Sequence, residues 1–180
     1  AAGNPLDCNN RNCGGYTLEA ELGVIPNAEA RPDFMGWEIK QYSVWNLDNP
    51  NGGNAITLMT PEPDCGLYQT KGFDFFVGKY GYPDENQENR RNFGGVHRFG
   101  DVHHRTGLML QLFGFDTKKN KITDKDGCLG LIDKSGNLAA GWTYIKLMEH
   151  WNRKHNKAAY VPAKSRKGKQ NQRQYIFSHK

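Results

Sequence analysis

An α+β or α/β fold, a few helices set against a mixed sheet rather than an all-β architecture, is what the sequence predicts, and three observations predict it. Leu138, Trp142, Ile145, Met148 and Trp151 recur at three- and four-residue spacing, with Lys146, Glu149, Asn152 and Arg153 on the other side, so Leu138 to His155 reads as a helix. Apolar runs bounded by Gly, Pro, Asn and Asp recur elsewhere at strand length. The chain has no internal repeat.

In order along the chain, residues 1–14 are rich in Asn and Gly and read as an arm. Thr17 is expected to cap a short helix with Leu18 and Leu22 on one face and Gly23 as its stop. Asn27 to Asp33 reads as a loop. Trp37 to Leu47, a polar turn over Asp48 to Asn54, and Ala55 to Met59 read as a hairpin. Phe73 to Tyr80 is aromatic and fits either a short helix or a strand, with the helix favoured, and Pro83 to Asn92 reads as a polar surface segment. Phe93 to Phe99 and Leu108 to Phe115 read as strands joined by a connection dense in His, Arg and Gly. Turns at Lys118–Lys121 and Asp124–Gly127 flank further strand ending near Asp133, and short strands near Tyr160 and Tyr175 close the chain.

At 180 residues the chain is expected to form one domain over residues 15–180. It has no apolar run of membrane-spanning length and no signal-peptide pattern, so the expected compartment is the cytoplasm, with no membrane partner. The first residue is Ala, which fits part of a longer polypeptide. Of the four cysteines, Cys8 and Cys13 have zinc-like spacing, but Cys65 and Cys128 form no second pair. Reduced thiols are expected, with a structural zinc or a disulfide as alternatives.

Charge is more telling. Arg153 to Lys180 holds nine Lys or Arg and no acidic residue, while the rest of the chain holds 15 basic and 19 acidic side chains. A basic stripe at one end is an electrostatic footprint for a polyanion, or else a solvated terminus. Short strand patterns interleaved with the charges favour the former.

The chemistry concentrates in Pro32-Asp33-Phe34-Met35-Gly36-Trp37-Glu38-Ile39-Lys40. On a strand, Glu38 and Lys40 share a face. Asp33, on the incoming limb, is placed to fold back beside Glu38. Two neighbouring carboxylates repel, and a hard cation such as Mg²⁺ resolves that while keeping waters of its own. A nearby lysine orients or deprotonates such a water, an arrangement suited to phosphodiester hydrolysis. Glu-x-Lys on a strand is also a common solvated charge pair, so context must decide. Glu19, flanking the Leu18/Leu22 face of the first helix, is placed to add a further carboxylate.

Gly15-Tyr16-Thr17-Leu18-Glu19-Ala20-Glu21-Leu22-Gly23-Val24 together with the Asp33–Lys40 block resembles the MvaI/BcnI group of restriction endonucleases. That group is itself similar to the mismatch-repair nickase MutH within the PD-(D/E)XK nuclease fold, a mixed sheet flanked by helices. Phe93-Gly94-Gly95-Val96-His97, Thr106-Gly107-Leu108 and Trp151 to Val161 also resemble it, so the likeness covers nearly the whole chain after the first dozen residues. It implies a DNA endonuclease of prokaryotic or phage-type hosts that acts on double-stranded DNA as a monomer, cutting one strand at a time. It further implies Asp33 and Glu38 as metal ligands with the Ile39 backbone carbonyl, Mg²⁺ as cofactor with Mn²⁺ substituting, Lys40 as the catalytic lysine and Glu19 as an accessory carboxylate. The chain is shorter than those enzymes, which bears on how complete its target recognition is.

The catalytic part is expected over about residues 15–80, and DNA recognition over about 83–107 and 153–180. Within Gly94 to Gly107, Asp101-x-His103-His104 invites a metal reading, but the Asn and His of a His-metal nuclease are not evident downstream. The loop reads better as one entering a DNA groove through His97, Arg98, His103, His104 and Arg105, with a plain surface hairpin as the alternative. Lys164, Arg166, Lys167, Lys169 and Arg173 are the expected contacts of the basic tail. The rivals to a site-specific nuclease are a MutH-like repair nickase and a non-catalytic DNA-binding module.

Overall fold

The computed structural model describes residues 12–25, 32–51, 55–168 and 172–178. In chain order the elements are α1 (Cys13–Glu21), β1 (Glu38–Ser43), α2 (Leu67–Lys71), α3 (Phe73–Tyr80), β2 (Tyr82–Pro83), β3 (Arg91–Asn92), β4 (Met109–Leu112) and β5 (Phe115–Asp116). They continue with β6 (Lys121–Ile122), β7 (Cys128–Ile132), β8 (Leu138–Thr143), α4 (Tyr144–His155), β9 (Ala158–Lys167) and β10 (Arg173–Phe177). The mixed α+β class is as expected. The chain divides into two compact units, one of residues 1–59 with 151–180 and the other of residues 60–150.

The first unit holds a three-stranded sheet ordered β1-β9-β10. β9 runs parallel to β1 and antiparallel to β10. This overturns the hairpin expected over Trp37–Met59. Residues 55–64 form no helix or strand, and the partner of β1 lies more than a hundred residues away. A parallel partner needs a long crossover and leaves no turn signal beside the strand, so local patterning cannot find it. The strands expected near Tyr160 and Tyr175 are present as β9 and β10.

Helix α1 begins at Cys13, four residues before the expected cap at Thr17. Thr17 lies inside the helix, where its hydroxyl donates to the Cys13 carbonyl at 2.7 Å. Gly14 and Gly15, poor helix formers, disguise this first turn. Packing explains Gly14: a Cβ there would stand 2.3 Å from Gln41 Oε1 and 3.1 Å from Tyr175 Cε1. The expected stop holds. Gly23, at φ +73°, donates to the Ala20 carbonyl and Val24 donates to that of Glu19, the paired bonds of a Schellman motif. Cys13 is disulfide-bonded, contrary to the expectation of reduced thiols, while Cys65 and Cys128 are free.

The second unit is built on the antiparallel sheet β4-β7-β8 with α2 and α3. Its core is Phe76, Tyr80, Leu108, Leu131, Ala139 and Ala140, joined by Leu67, Tyr68, Val77, Phe93, Leu110 and Trp142. α3 matches the expected helix. The apolar stretch from Leu138 does not begin as a helix. Leu138–Thr143 is β8, whose Ala139 and Ala140 are fully buried. Gly141 is backbone-paired with Cys65, and a Cβ on it would stand 2.6 Å from the Cys65 sulfur. The helix starts only where Thr143 caps it: its Oγ1 accepts the Lys146 amide at 3.3 Å and donates to Asp64 at 2.6 Å. Residues 93–99 are not a strand, although Arg98 and Phe99 make isolated bridges to Asp101 and Leu110.

Candidate active site

Asp33 and Glu38 are brought together by a two-residue turn. Phe34 and Trp37 exchange backbone hydrogen bonds of 3.0 and 2.8 Å. The residues between them, Met35 and Gly36, both have positive φ, at 48° and 80°, as a type I′ turn requires. Gly36 adopts this freely, whereas Met35, held there with its side chain 85% exposed, does so at a cost in backbone strain. The turn reverses the chain so that the incoming Asp33 lies beside the first residues of β1.

Asp33 Oδ2 accepts the Ile39 amide at 3.0 Å. The direction of that amide matters. Glu38 and Val44 send their amides to Lys157 and Ala163, toward β9. Alternation along a strand then turns both the amide and the carbonyl of Ile39 to the opposite edge of β1, away from β9. The Ile39 carbonyl and the Asp33 carboxylate therefore share that edge.

Glu38 is 1% exposed, and its Oε1 lies 2.5 Å from Lys40 Nζ, whose side chain is 26% exposed. Burial strengthens this attraction relative to water and leaves Lys40 as the partner that reaches solvent. Asp33, Glu38 and the Ile39 carbonyl carry oxygen donors only, a hard chemistry. It suits a cation that keeps several waters, as Mg²⁺ does. Among the described residues no group of three His, Cys, Asp or Glu side chains is gathered as a metal cage. Glu19 thus stands outside any such trio with Asp33 and Glu38. It is half-buried on α1, the helix packed on β1.

The His-rich loop divides by burial. Thr106 is buried, and its hydroxyl is shared by His97 Nε2 at 2.8 Å, His103 Nδ1 at 3.2 Å and the Leu108 amide at 3.3 Å. Phe93, His97, His103 and His104 follow one another in ring contact at 4.5 to 5.5 Å. Burial and the neighbouring His103 push the His97 imidazole below its usual pKa. His97 and His103 thus hold the loop together. Arg98, His104 and Arg105 are exposed; Arg105 lies over the Tyr82 ring at 4.9 Å and 3.8 Å from Glu85. Asp101, His103 and His104 form no three-donor cage.

In the basic tail, Lys164, Arg166, Lys167 and Arg173 are exposed on β9 and β10. Lys169 lies outside the described residues. Sequence reasoning missed the Asp64–Thr143 cap and the Thr106 node, although the Thr before Tyr144 was a legible N-cap.

The MvaI/BcnI restriction endonuclease family is matched over residues 5–180. The chain is also similar to a solved structure described as a complex of restriction endonuclease MvaI with cognate DNA substrate. The TM-score is 0.70 at 17% identity, and the match covers 97% of this chain and 66% of that one. At that identity the likeness speaks for the fold, and the chain spans somewhat under two thirds of the length of the matched protein. No curated protein sequence matches the chain. No helix among the described residues is long and apolar enough to cross a membrane.

Proposed function

The chain belongs to the MvaI/BcnI restriction endonuclease family, and from that premise we propose that it is a Mg²⁺-dependent, site-specific endonuclease of double-stranded DNA. The observation that carries the reading is the buried Glu38–Lys40 pair at 2.5 Å, beside an edge shared by Asp33 and the Ile39 carbonyl. A solvated strand pair, the bland alternative, does not bury its carboxylate to 1%.

Asp33, Glu38 and the Ile39 carbonyl would hold the cation. Bound there, Mg²⁺ supplies Lewis-acid polarisation of the scissile phosphate and acidifies water. Mn²⁺, with the same preference for oxygen donors, substitutes. The side chains do the rest. Glu38 holds the Lys40 ammonium at the site. Lys40, the partner open to solvent, orients the attacking water and neutralises charge that builds on the phosphate oxygens in the transition state. The type I′ turn keeps Asp33 at the edge of β1 and so limits reorganisation during the reaction. Glu19 stands on α1, which covers the face of the sheet opposite Lys40, so it would reach the site only around the edge of β1 where Asp33 sits, as an accessory carboxylate rather than a ligand. Arg98, His104 and Arg105, presented by the His97–Thr106–His103 node, contact the DNA.

The test is cleavage of supercoiled plasmid by the purified protein in Mg²⁺, followed by sequencing of the ends. A site-specific enzyme linearises the plasmid unaided, with one sequence at every end. Glu38→Gln, Asp33→Asn and Lys40→Ala should each lower the rate by about 10²–10³-fold or more, with DNA affinity within a few-fold of wild type. Glu19→Ala should cost less. Cleavage by Lys40→Ala at the wild-type rate would sink the site assignment. Nicked circles that never become linear would favour a repair-type nickase, and binding without cleavage a DNA-binding module.

A further inference from the structure

The strand register divides the basic tail between two faces of one sheet, and only one of those faces carries the candidate active site. Residues paired across neighbouring strands, and residues two apart along a strand, project to the same face. Lys40 pairs with Tyr160. Two and three steps further along β9, Lys164 and Arg166 pair with Ile176 and Gln174 of β10. Glu38, Lys40, Tyr160, Lys164 and Arg166 therefore share a face. Lys167 pairs with Arg173, and Ser165 with Tyr175, on the opposite face. That is the face α1 covers, because Gly14 sits against both Gln41 and Tyr175.

We propose that the site-bearing face is a track for the phosphates of one DNA strand, running from Lys40 through Tyr160 to Lys164 and Arg166, with Lys167 and Arg173 outside it. The proposal rests on the reading of the chain as a DNA nuclease.

Exposure, spacing and charge support it. Tyr160 is 39% exposed and Ile176 40%, so the face is open to a ligand. Tyr160 stands one strand spacing, about 4.8 Å, from Lys40, with a hydroxyl able to donate to a phosphate oxygen beside the scissile one. At about 3.3 Å per residue, Lys164 and Arg166 follow Tyr160 by about 13 and 20 Å. With one phosphate per roughly 3.4 Å of helix axis on each strand, that reach spans about four to six phosphates. Arg166 is already fixed: its Nε donates to Gln174 Oε1 at 3.1 Å, which leaves the two amino groups of the guanidinium for a phosphate.

The experiment measures affinity for a mixed-sequence duplex, without divalent ions so that no cleavage intervenes, over a range of salt concentrations. The proteins are wild type, Lys164→Ala/Arg166→Ala, Lys167→Ala/Arg173→Ala and Tyr160→Phe. All changed side chains are half-open or exposed, and thermal melts verify folding. Losing two phosphate contacts should flatten the log–log slope by about 1.8 in the first double variant, and by less than about 0.3 in the second. Tyr160→Phe should weaken binding by roughly tenfold with the slope unchanged, because it loses a hydrogen bond to a charged group and no charge. Equal flattening by the two double variants, or flattening by the second alone, overturns the track. Wild-type affinity in Tyr160→Phe removes Tyr160 from it. Plasmid cleavage is scored separately. A cleaving enzyme with equal slopes refutes the track and leaves the nuclease reading standing, whereas divided slopes without cleavage refute the nuclease reading alone.

Discussion

Lys40 should matter to the stability of the metal-free protein as well as to catalysis, and a double-mutant cycle with Glu38 measures how much. Its ammonium lies 2.5 Å from a carboxylate that is 1% exposed, while its own side chain is 26% exposed. Breaking a fully buried pair costs about 3–5 kcal/mol. Breaking an exposed one costs about 0.2–1 kcal/mol. With one partner buried and the other a quarter open, Lys40→Ala should cost about 2 kcal/mol, because Glu38 keeps its desolvation penalty and loses this ammonium. For a chain of this size that is a fall in Tm of roughly 4–8 °C. Glu38→Gln retains the shape, removes the buried charge and leaves Lys40 its access to water, so it should cost under about 1 kcal/mol. In the Glu38→Gln background, Lys40→Ala should then add almost nothing. The assay is thermal or urea unfolding of the four proteins in chelator, read as a coupling energy. Added Mg²⁺ should raise the Tm of Lys40→Ala more than that of wild type, since a cation replaces the missing ammonium; ligand at a hundred times its Kd contributes about 2.7 kcal/mol. Additive single costs, with a coupling near zero, would refute the buried pair as the organiser of this site.

Three further outcomes are expected. His97 has a folded pKa below the ordinary 6.5, so the unfolded chain binds its proton first; the stabilisation is fully present above that value and is lost as pH falls through the folded pKa. Unfolding followed from pH 7.5 down to 5 should show this decline, and His97→Gln should flatten it; an unchanged profile would mean the imidazole is as free in the fold as outside it. Gly141→Ala should destabilise by about 1–3 kcal/mol in denaturant melts, because its Cβ would stand 2.6 Å from the Cys65 sulfur; a neutral variant would show that β8 yields there at little cost. Arg98→Ala and Arg105→Ala should leave the metal site whole, and at least one should relax cleavage specificity by about 1–3 kcal/mol on a randomised-site library. Two profiles with the wild-type shape would place base readout elsewhere.

The chemistry of the candidate site was legible in the sequence because its parts are close in the chain. Asp33, the Met35-Gly36 turn, Glu38 and Lys40 fall within eight residues, and the two-residue period of a strand alone puts Glu38 beside Lys40. The Gly23 stop of α1 was readable for the same reason, since it rests on residues a turn apart, whereas the aromatic run of α3 fitted a helix or a strand and only favoured the helix it forms. Where elements depend on distant partners, local pattern misleads. Leu138, Trp142 and Ile145 have helical spacing, yet β7 and Cys65 claim Leu138–Thr143 as a strand, and the Thr143 cap that marks the true helix start is anchored by Asp64, far earlier in the chain.

Tertiary structure alone decided three things. It paired β1 with β9 rather than with the stretch that follows it, since parallel strands meet only through a long crossover and carry no signature at either end. It turned His97 and His103 inward onto Thr106, because whether an imidazole meets a hydroxyl or a solvent-facing ligand depends on a loop closure that composition does not specify. And it sorted a run of tail charges, uniform in the sequence, onto opposite faces of one sheet. Net charge is a sum over residues, but which phosphate a lysine can reach is set by strand register, and register is fixed only when the whole sheet is assembled.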